Sequence, residues 1–162
     1  MVEDMTVRRV IAQHDAHGHA RFAIDERLEP SPIGARGSSN ATVWATDRAP
    51  ADNQDPRDLA GSLTGLGMDG GTAIRVINVS PGEETPMHRT ISVDYVVITH
   101  GSIDLELDGG DVRTLHAGDV VVQRGTSHRW INRSGDWARM VAVLVSAAPV
   151  VIDGSVLAEV HI

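Results

Sequence analysis

The sequence contains no cysteine and no lysine. Without cysteine there is no disulfide, no thiolate metal ligand and no thiol nucleophile, so any bound metal must take imidazole and oxygen ligands. Without lysine, Schiff-base catalysis is excluded. The 14 basic residues are therefore all arginines, and together with 22 acidic residues they leave a formal net charge of −8. We expect no nucleic-acid partner, because such binding needs a concentrated positive surface.

Long apolar runs are also missing. The first ten residues, MVEDMTVRRV, hold acids and arginines where a signal peptide has an apolar stretch, and no later segment reaches the length of a membrane span. We therefore expect a cytoplasmic protein with no membrane partner. A length of 162 residues with 41% hydrophobic content is enough for one domain with its own core.

Short strand-like segments separated by glycine turns run through most of the chain. Residues 7–25 read as a hairpin, ATVWAT reads as a further strand, and residues 49–71 have the composition of a loop with a short helical turn. Six closely spaced segments follow: TAIRVINV, DYVVIT, SIDLELD, DVVVQ, HRWINR and ARMVAVLVSA. The tail VVIDGSVLAEV predicts another hairpin, with a strand that returns to the sheet. This pattern predicts an all-β sandwich or barrel.

Two blocks of the sequence combine regularly spaced glycines with side chains that bind metals. The first block runs Gly82, His88, Thr90, Asp94 and Gly101, and the second runs Gly118, Arg124, Gly125, His128 and Asn132. Over residues 72–146 these blocks resemble the two motifs of the cupin superfamily, and within it the small single-domain bacterial and fungal cupins of poorly characterised function. The first cupin motif normally has a second His and then a Glu, at the positions of Thr90 and Asp94. The second motif is one residue shorter here.

The resemblance implies an all-β fold with a single cupin (jelly-roll) β-barrel. Residues 72–162 would form the barrel. Residues 1–71 would be an N-terminal extension of hairpin, strand and loop that packs on it, in one structural domain. The resemblance also implies a homodimer.

Strand periodicity brings the candidate metal ligands to one side. His88, Thr90, Ser92 and Asp94 share one parity on an extended strand, so all four can face the barrel interior. With His128 from another strand they predict a site of two histidines and one carboxylate, His88, Asp94 and His128, for one divalent metal ion: Zn, Mn, Fe or Ni. The alternative is a barrel that has lost its metal and keeps ordinary interior histidines. Asn132 is expected to stabilise a turn.

Three further residues are expected to line a substrate pocket: Thr90, Trp130 and Arg75. Trp130 shares parity with His128 and forms either a pocket wall or plain core packing. Arg75 can bind a substrate carboxylate through paired donors if its strand points it inward. Tyr95 should face the opposite side, in sheet packing or a subunit interface. The loop at residues 49–71 either covers the barrel mouth or is a passive connection.

Three functions remain open from the sequence. The favoured one is a metal-dependent lyase, decarboxylase, dehydratase or isomerase that acts on a small oxygenated metabolite, a carbonyl or carboxylate compound. An Fe(II) dioxygenase uses the same ligand types. A non-catalytic protein that binds a small ligand in the barrel is the third. The sequence sets neither the substrate nor the identity of the metal, and it assigns no catalytic residue.

Overall fold

The computed structural model describes residues 5–161, and most of them lie in or between β-strands. The strands are β1 (Val7–His14), β2 (Ala20–Leu28), β3 (Ser31–Pro32), β4 (Ser39–Thr46), β5 (Thr72–Val79), β6 (Ser92–His100), β7 (Ser102–Leu107), β8 (Val112–His116), β9 (Val120–Arg124), β10 (His128–Ile131), β11 (Ala138–Ser146), β12 (Val151–Ile152) and β13 (Ser155–Val156). A short 3₁₀ helix spans Ala60–Ser62. The all-β prediction is confirmed. Among these residues, no helix has the length and apolarity to span a membrane.

Two sheets form the body of the molecule. The larger one has the order β3-β4-β5-β11-β6-β9, and the smaller one has the order β10-β7-β8. The main core contains Ile98 and Met140 from the larger sheet. It also contains Ile103 and Trp130 from the smaller one, so the two sheets pack face to face around these side chains.

Alternation along β6 decides which side chains reach the interior. Asp94, Val96 and Ile98 are buried, whereas Tyr95 and Val97 between them are exposed. This is the period of two expected for a strand with one covered face. The outward direction predicted for Tyr95 is confirmed, and Asp94 lies on the inner face.

Most predicted strands agree with the structure. TAIRVINV coincides with β5, and the N-terminal hairpin is formed by β1 and β2, which pair antiparallel. β8 was not predicted, because its sequence VRTLH is mostly exposed and lacks an alternating apolar pattern. The predicted tail hairpin forms from β12 and β13, which pair with each other and join neither of the two larger sheets. The tail returns to the barrel at Val160, which forms an isolated antiparallel bridge with Arg89 rather than a sheet strand.

The barrel extends into the segment predicted as an N-terminal extension. β4 lies next to β5 in the larger sheet, so the sheet continues across the expected boundary after residue 71. The hairpin packs outside, where Val7 forms a second cluster with Ala41 and Val76. Arg9 bonds Glu26 within the hairpin, and it links the hairpin to the rest of the chain through the carbonyl oxygen of Val43 and the carboxylate of Asp58.

Candidate functional site

His88 and His128 meet inside the barrel. His128 is the first residue of β10, and His88 lies just before β6. The two residues pair with each other in an isolated antiparallel bridge. Each backbone N–H donates to the carbonyl oxygen of the other residue, at 2.8 and 2.9 Å. Their ring centroids are 4.2 Å apart, and both side chains are buried. The structure therefore brings together the two predicted histidine ligands.

Backbone carbonyls fix the tautomer of both rings. Nδ1 of His88 lies 2.9 Å from the carbonyl oxygen of Pro86, and Nδ1 of His128 lies 2.9 Å from that of Thr126. A carbonyl only accepts, so each Nδ1 carries the hydrogen and each Nε2 keeps its lone pair. Metal-binding histidines commonly donate their second nitrogen in this way, so the pair fits a divalent ion.

Burial favours the neutral form of both histidines. It lowers the pKa of His88, although the carbonyl of Pro86 and the carboxylate of Asp94 act in the opposite direction. It lowers the pKa of His128 to about 4, and the nearby His88 adds to this effect while the carbonyl of Thr126 opposes it. Both rings are therefore uncharged near neutral pH, which is the state that binds a metal.

Asp94 is held by two hydroxyl groups. Ser92 Oγ donates to Oδ1 at 2.5 Å, and Thr90 Oγ1 donates to Oδ2 at 3.2 Å. The two hydroxyl oxygens lie 2.8 Å apart. Burial raises the pKa of Asp94, and the hydroxyl bonds and His88 counteract part of that effect. Ser92 is buried, as its predicted inward direction requires, but no role as a partner of Asp94 was predicted for it.

Asp94, the predicted third ligand, is not grouped with the two histidines in the way that a metal site requires. Within residues 5–161, no group of three or more His, Cys, Asp or Glu side chains is arranged to hold a metal ion. Asp94 faces the hydroxyls of Ser92 and Thr90, so its role as a ligand beside His88 and His128 stays a prediction. Gln123 is buried opposite Asp94 in the β6–β9 pairing. The Oε1 atom of Gln123 accepts a hydrogen bond from Thr126. Gln123 was not predicted as a site residue, although it shares strand parity with the partly buried Val121, which indicates an inward direction.

The other predicted residues occupy distinct places. Trp130 belongs to the main core, and its ring also meets His128 edge-on at 5.9 Å between centroids. Arg75 donates from Nε to Asn40 Oδ1 and from Nη1 to the carbonyl oxygen of Leu66, both at 2.9 Å. Asn132 donates to the carbonyl oxygens of Val79 and Asp136, so its predicted turn-stabilising role is confirmed.

Part of the loop at residues 49–71 borders the site. Residues 62–69 line a cavity of about 220 Å³ together with Thr90, Ser92 and Leu144. Glu159 and His161 of the tail complete its wall. Leu66 also packs against the main core. Residues 62–69 therefore lie beside Thr90 and Ser92, while a covering role for the whole loop stays a prediction.

The comparisons with known proteins agree with this architecture. The cupin domain family model matches residues 75–144. The phomopsin biosynthesis cluster protein C' of Diaporthe leptostromiformis is 42% identical over 164 aligned positions, which cover 96% of this chain and 86% of that protein. The cupin-domain-containing oxidoreductase fogC of Aspergillus ruber is 32% identical, over 91% of this chain and 76% of that protein.

A solved structure shows the same fold at low sequence identity. The putative ethanolamine utilization protein of Salmonella typhimurium superposes with a TM-score of 0.52 at 12% identity, covering 89% of this chain and 99% of that one. The predicted single cupin barrel is thereby confirmed. With the family model and the two fungal relatives, the conclusion is that this chain belongs to the cupin family.

Proposed function

We propose that this chain is a metal-dependent cupin enzyme that acts on a small oxygenated metabolite. The observation that carries the proposal is the pair of buried imidazoles, His88 and His128, with ring centroids 4.2 Å apart. Each ring is tied through Nδ1 to a backbone carbonyl, and each therefore presents Nε2 as a donor. Two pre-oriented neutral imidazoles are costly to bury without a partner, and a divalent ion is the partner that such a pair commonly takes.

The remaining side chains have defined roles in this proposal. Asp94 is the third ligand in its ionised form, and the hydroxyls of Ser92 and Thr90 orient its carboxylate. Each carboxylate oxygen keeps a lone pair beyond the one that a hydroxyl occupies. Trp130 packs edge-on against His128 and limits the movement of that ring. When bound, the ion would supply Lewis acidity that polarises a carbonyl or carboxylate oxygen.

Two reaction classes fit this set of residues. Lyase, decarboxylase, dehydratase or isomerase chemistry needs only polarisation of the substrate and movement of a proton. Oxidation is the second candidate, and the names of relatives favour it, because those from Aspergillus ruber and Hypocrea virens are called cupin-domain-containing oxidoreductases. In that case Fe(II) is the expected metal, as in the dioxygenases that use two histidines and a carboxylate.

Metal analysis tests the proposal directly. We expect the protein purified without added metal to carry about one divalent ion per chain, in keeping with a single two-histidine, one-carboxylate site. The His88→Ala and His128→Ala variants should each lose it, because one imidazole alone is a weak site. His116→Ala, at an exposed position on β8, is the matched control and should keep the metal. Iron with substrate-dependent oxygen uptake supports oxidation, and Zn, Mn or Ni supports the lyase or isomerase class.

Two outcomes would contradict this proposal. An unchanged metal content in His88→Ala places the metal elsewhere. A wild-type protein that retains no Zn, Mn, Fe or Ni after loading and dialysis favours the barrel as a metal-free ligand-binding module. Circular dichroism of each variant shows whether a lost metal reflects a lost ligand or a lost fold.

The proposal includes a homodimer. Tyr95 and Val97 of β6 pair with Val122 and Val120 of β9, and all four are exposed on the outer face of the larger sheet. Such a contiguous apolar face is typical of a subunit interface. We expect Val122→Arg to shift the sedimentation coefficient from dimer to monomer, while Val151→Arg in the tail hairpin leaves it unchanged. A wild-type monomer would contradict the assignment.

A further inference from the structure

Arg75 places a positive charge on the inner face of the barrel. On β5 it has the same parity as Ile77 and Val79, which pack in the main core. Its neighbour across the sheet, Ala142, belongs to the same core. Because paired residues on adjacent strands point to the same face, the side chain of Arg75 enters the interior.

The guanidinium of Arg75 has only neutral partners in the described chain. Nε donates to Asn40 Oδ1 and Nη1 to the carbonyl oxygen of Leu66. Within residues 5–161 Arg75 forms no ion pair with a carboxylate, and the residue as a whole is half-buried. Arg9 shows the contrast, since its buried guanidinium meets both Glu26 and Asp58.

An unpaired cation in this setting is energetically unfavourable. Desolvation penalises a charge unless an opposite charge or several hydrogen bonds compensate for it. Burial lowers the pKa of Arg75, because desolvation disfavours the charged form. The guanidinium nevertheless stays protonated, as arginines do in proteins. A planar anion would remove the penalty, because the free N–H groups of a guanidinium match a carboxylate.

Arg75 lies on the same inner face of the larger sheet as the predicted metal ligand Asp94. Arg75, Ala142 and Val96 form one row across β5, β11 and β6. Asp94 lies two residues from Val96 on the same face, one row away. Leu66, whose carbonyl Arg75 binds, lines the cavity that also contains Thr90 and Ser92. Arg75 therefore contacts the loop segment that borders this cavity.

We propose that the substrate is a carboxylate and that Arg75 binds its carboxylate group beneath the loop at residues 62–69. This inference rests on the proposed function, since it names the substrate class for the same barrel. The hydrogen bond from Arg75 to the carbonyl oxygen of Leu66 joins this anion site to the loop.

Benzoate and its neutral analogue benzamide form a matched pair of probes. We expect the protein as purified to bind benzoate at least about tenfold more tightly than benzamide in a calorimetric titration, because a charge-assisted hydrogen bond is worth about that factor. Arg75→Gln should lose the preference, and Arg75→Lys should keep part of it. Arg113→Gln, which removes one exposed positive charge on β8, should behave as wild type.

The His88→Ala variant separates this inference from the proposed function. Benzoate held by Arg75 remains bound when the metal is lost, whereas benzoate held by a metal does not. Binding that survives Arg75→Gln, or a wild type that does not distinguish benzoate from benzamide, overturns the carboxylate assignment. Inorganic phosphate that competes as well as benzoate also overturns it. Arg75→Gln should keep its metal, which shows that the site remains folded.

Discussion

Replacing Gly101 by alanine is expected to lower the free energy of unfolding by about 4 kcal/mol, the sum of a left-handed backbone penalty and a steric overlap. Gly101 is the single residue between β6 and β7, where the chain leaves the larger sheet for the smaller one. Its φ is +70°, which L side chains rarely adopt. A Cβ there would lie 2.2 Å from the carbonyl oxygen of Trp137. Because that oxygen belongs to the backbone, no rotamer change relieves the contact.

A second glycine provides the matched control for this substitution. Gly110 has a φ of +88°, and a Cβ added there would meet no atom within 4 Å. Gly110→Ala should therefore cost only the backbone penalty of about 1 kcal/mol. Urea unfolding followed by tryptophan fluorescence measures both variants. Equal losses in the two variants would show that the close approach to Trp137 does not constrain this corner of the barrel.

Local patterning accounts for the parts of the fold that were predictable. β5 and β11 consist mostly of apolar residues and are bounded by segments that contain glycine or proline. Their positions could therefore be predicted from the sequence. β8 is an edge strand of the smaller sheet with little buried surface, and it leaves no such pattern. The order of strands in each sheet depends on pairings between distant segments, which periodicity does not encode.

For the candidate site, the inward direction of the side chains was predictable from the sequence, but their hydrogen-bond partners were not. Parity and spacing placed His88 and His128 on the inner face, and the structure brings them into contact. They did not indicate that Ser92 and Thr90 would bind the carboxylate of Asp94, because that outcome depends on competition between side-chain rotamers. Arg75 could be named as an anion ligand, but its inward direction depends on the register of β5 against β11.

Acid is expected to destabilise the metal-free protein through its buried histidines. In the unfolded chain a histidine takes up a proton near pH 6.5, whereas burial holds the pKa of His128 at about 4 in the folded state. Between these values the unfolded state binds more protons, so the free energy of unfolding falls as the pH is lowered. For His128 alone the loss amounts to about 3 kcal/mol. His88, whose pKa is also lowered, acts in the same direction.

Asp94 contributes the opposite pH dependence. Its pKa is raised by burial, so it binds a proton more readily in the folded than in the unfolded chain, and its contribution to stability is lost as the pH rises through the folded pKa. Asp94→Asn should therefore steepen the rise of stability with pH above about pH 4, where an unfolded aspartate ionises. The two buried histidines and the buried carboxylate can thus be separated by the sign of their effects.

Urea unfolding of chelator-treated protein at several pH values between about 4.5 and 7.5 tests this prediction. His128→Gln should reduce the loss of stability across that range by about 2 kcal/mol, because most of the His128 titration difference falls within it. His116→Gln, on the exposed strand β8, should give a curve parallel to wild type. If His128→Gln also gives a parallel curve, His128 is not held neutral by burial. That result would contradict the buried, desolvated environment in which the structure places His128.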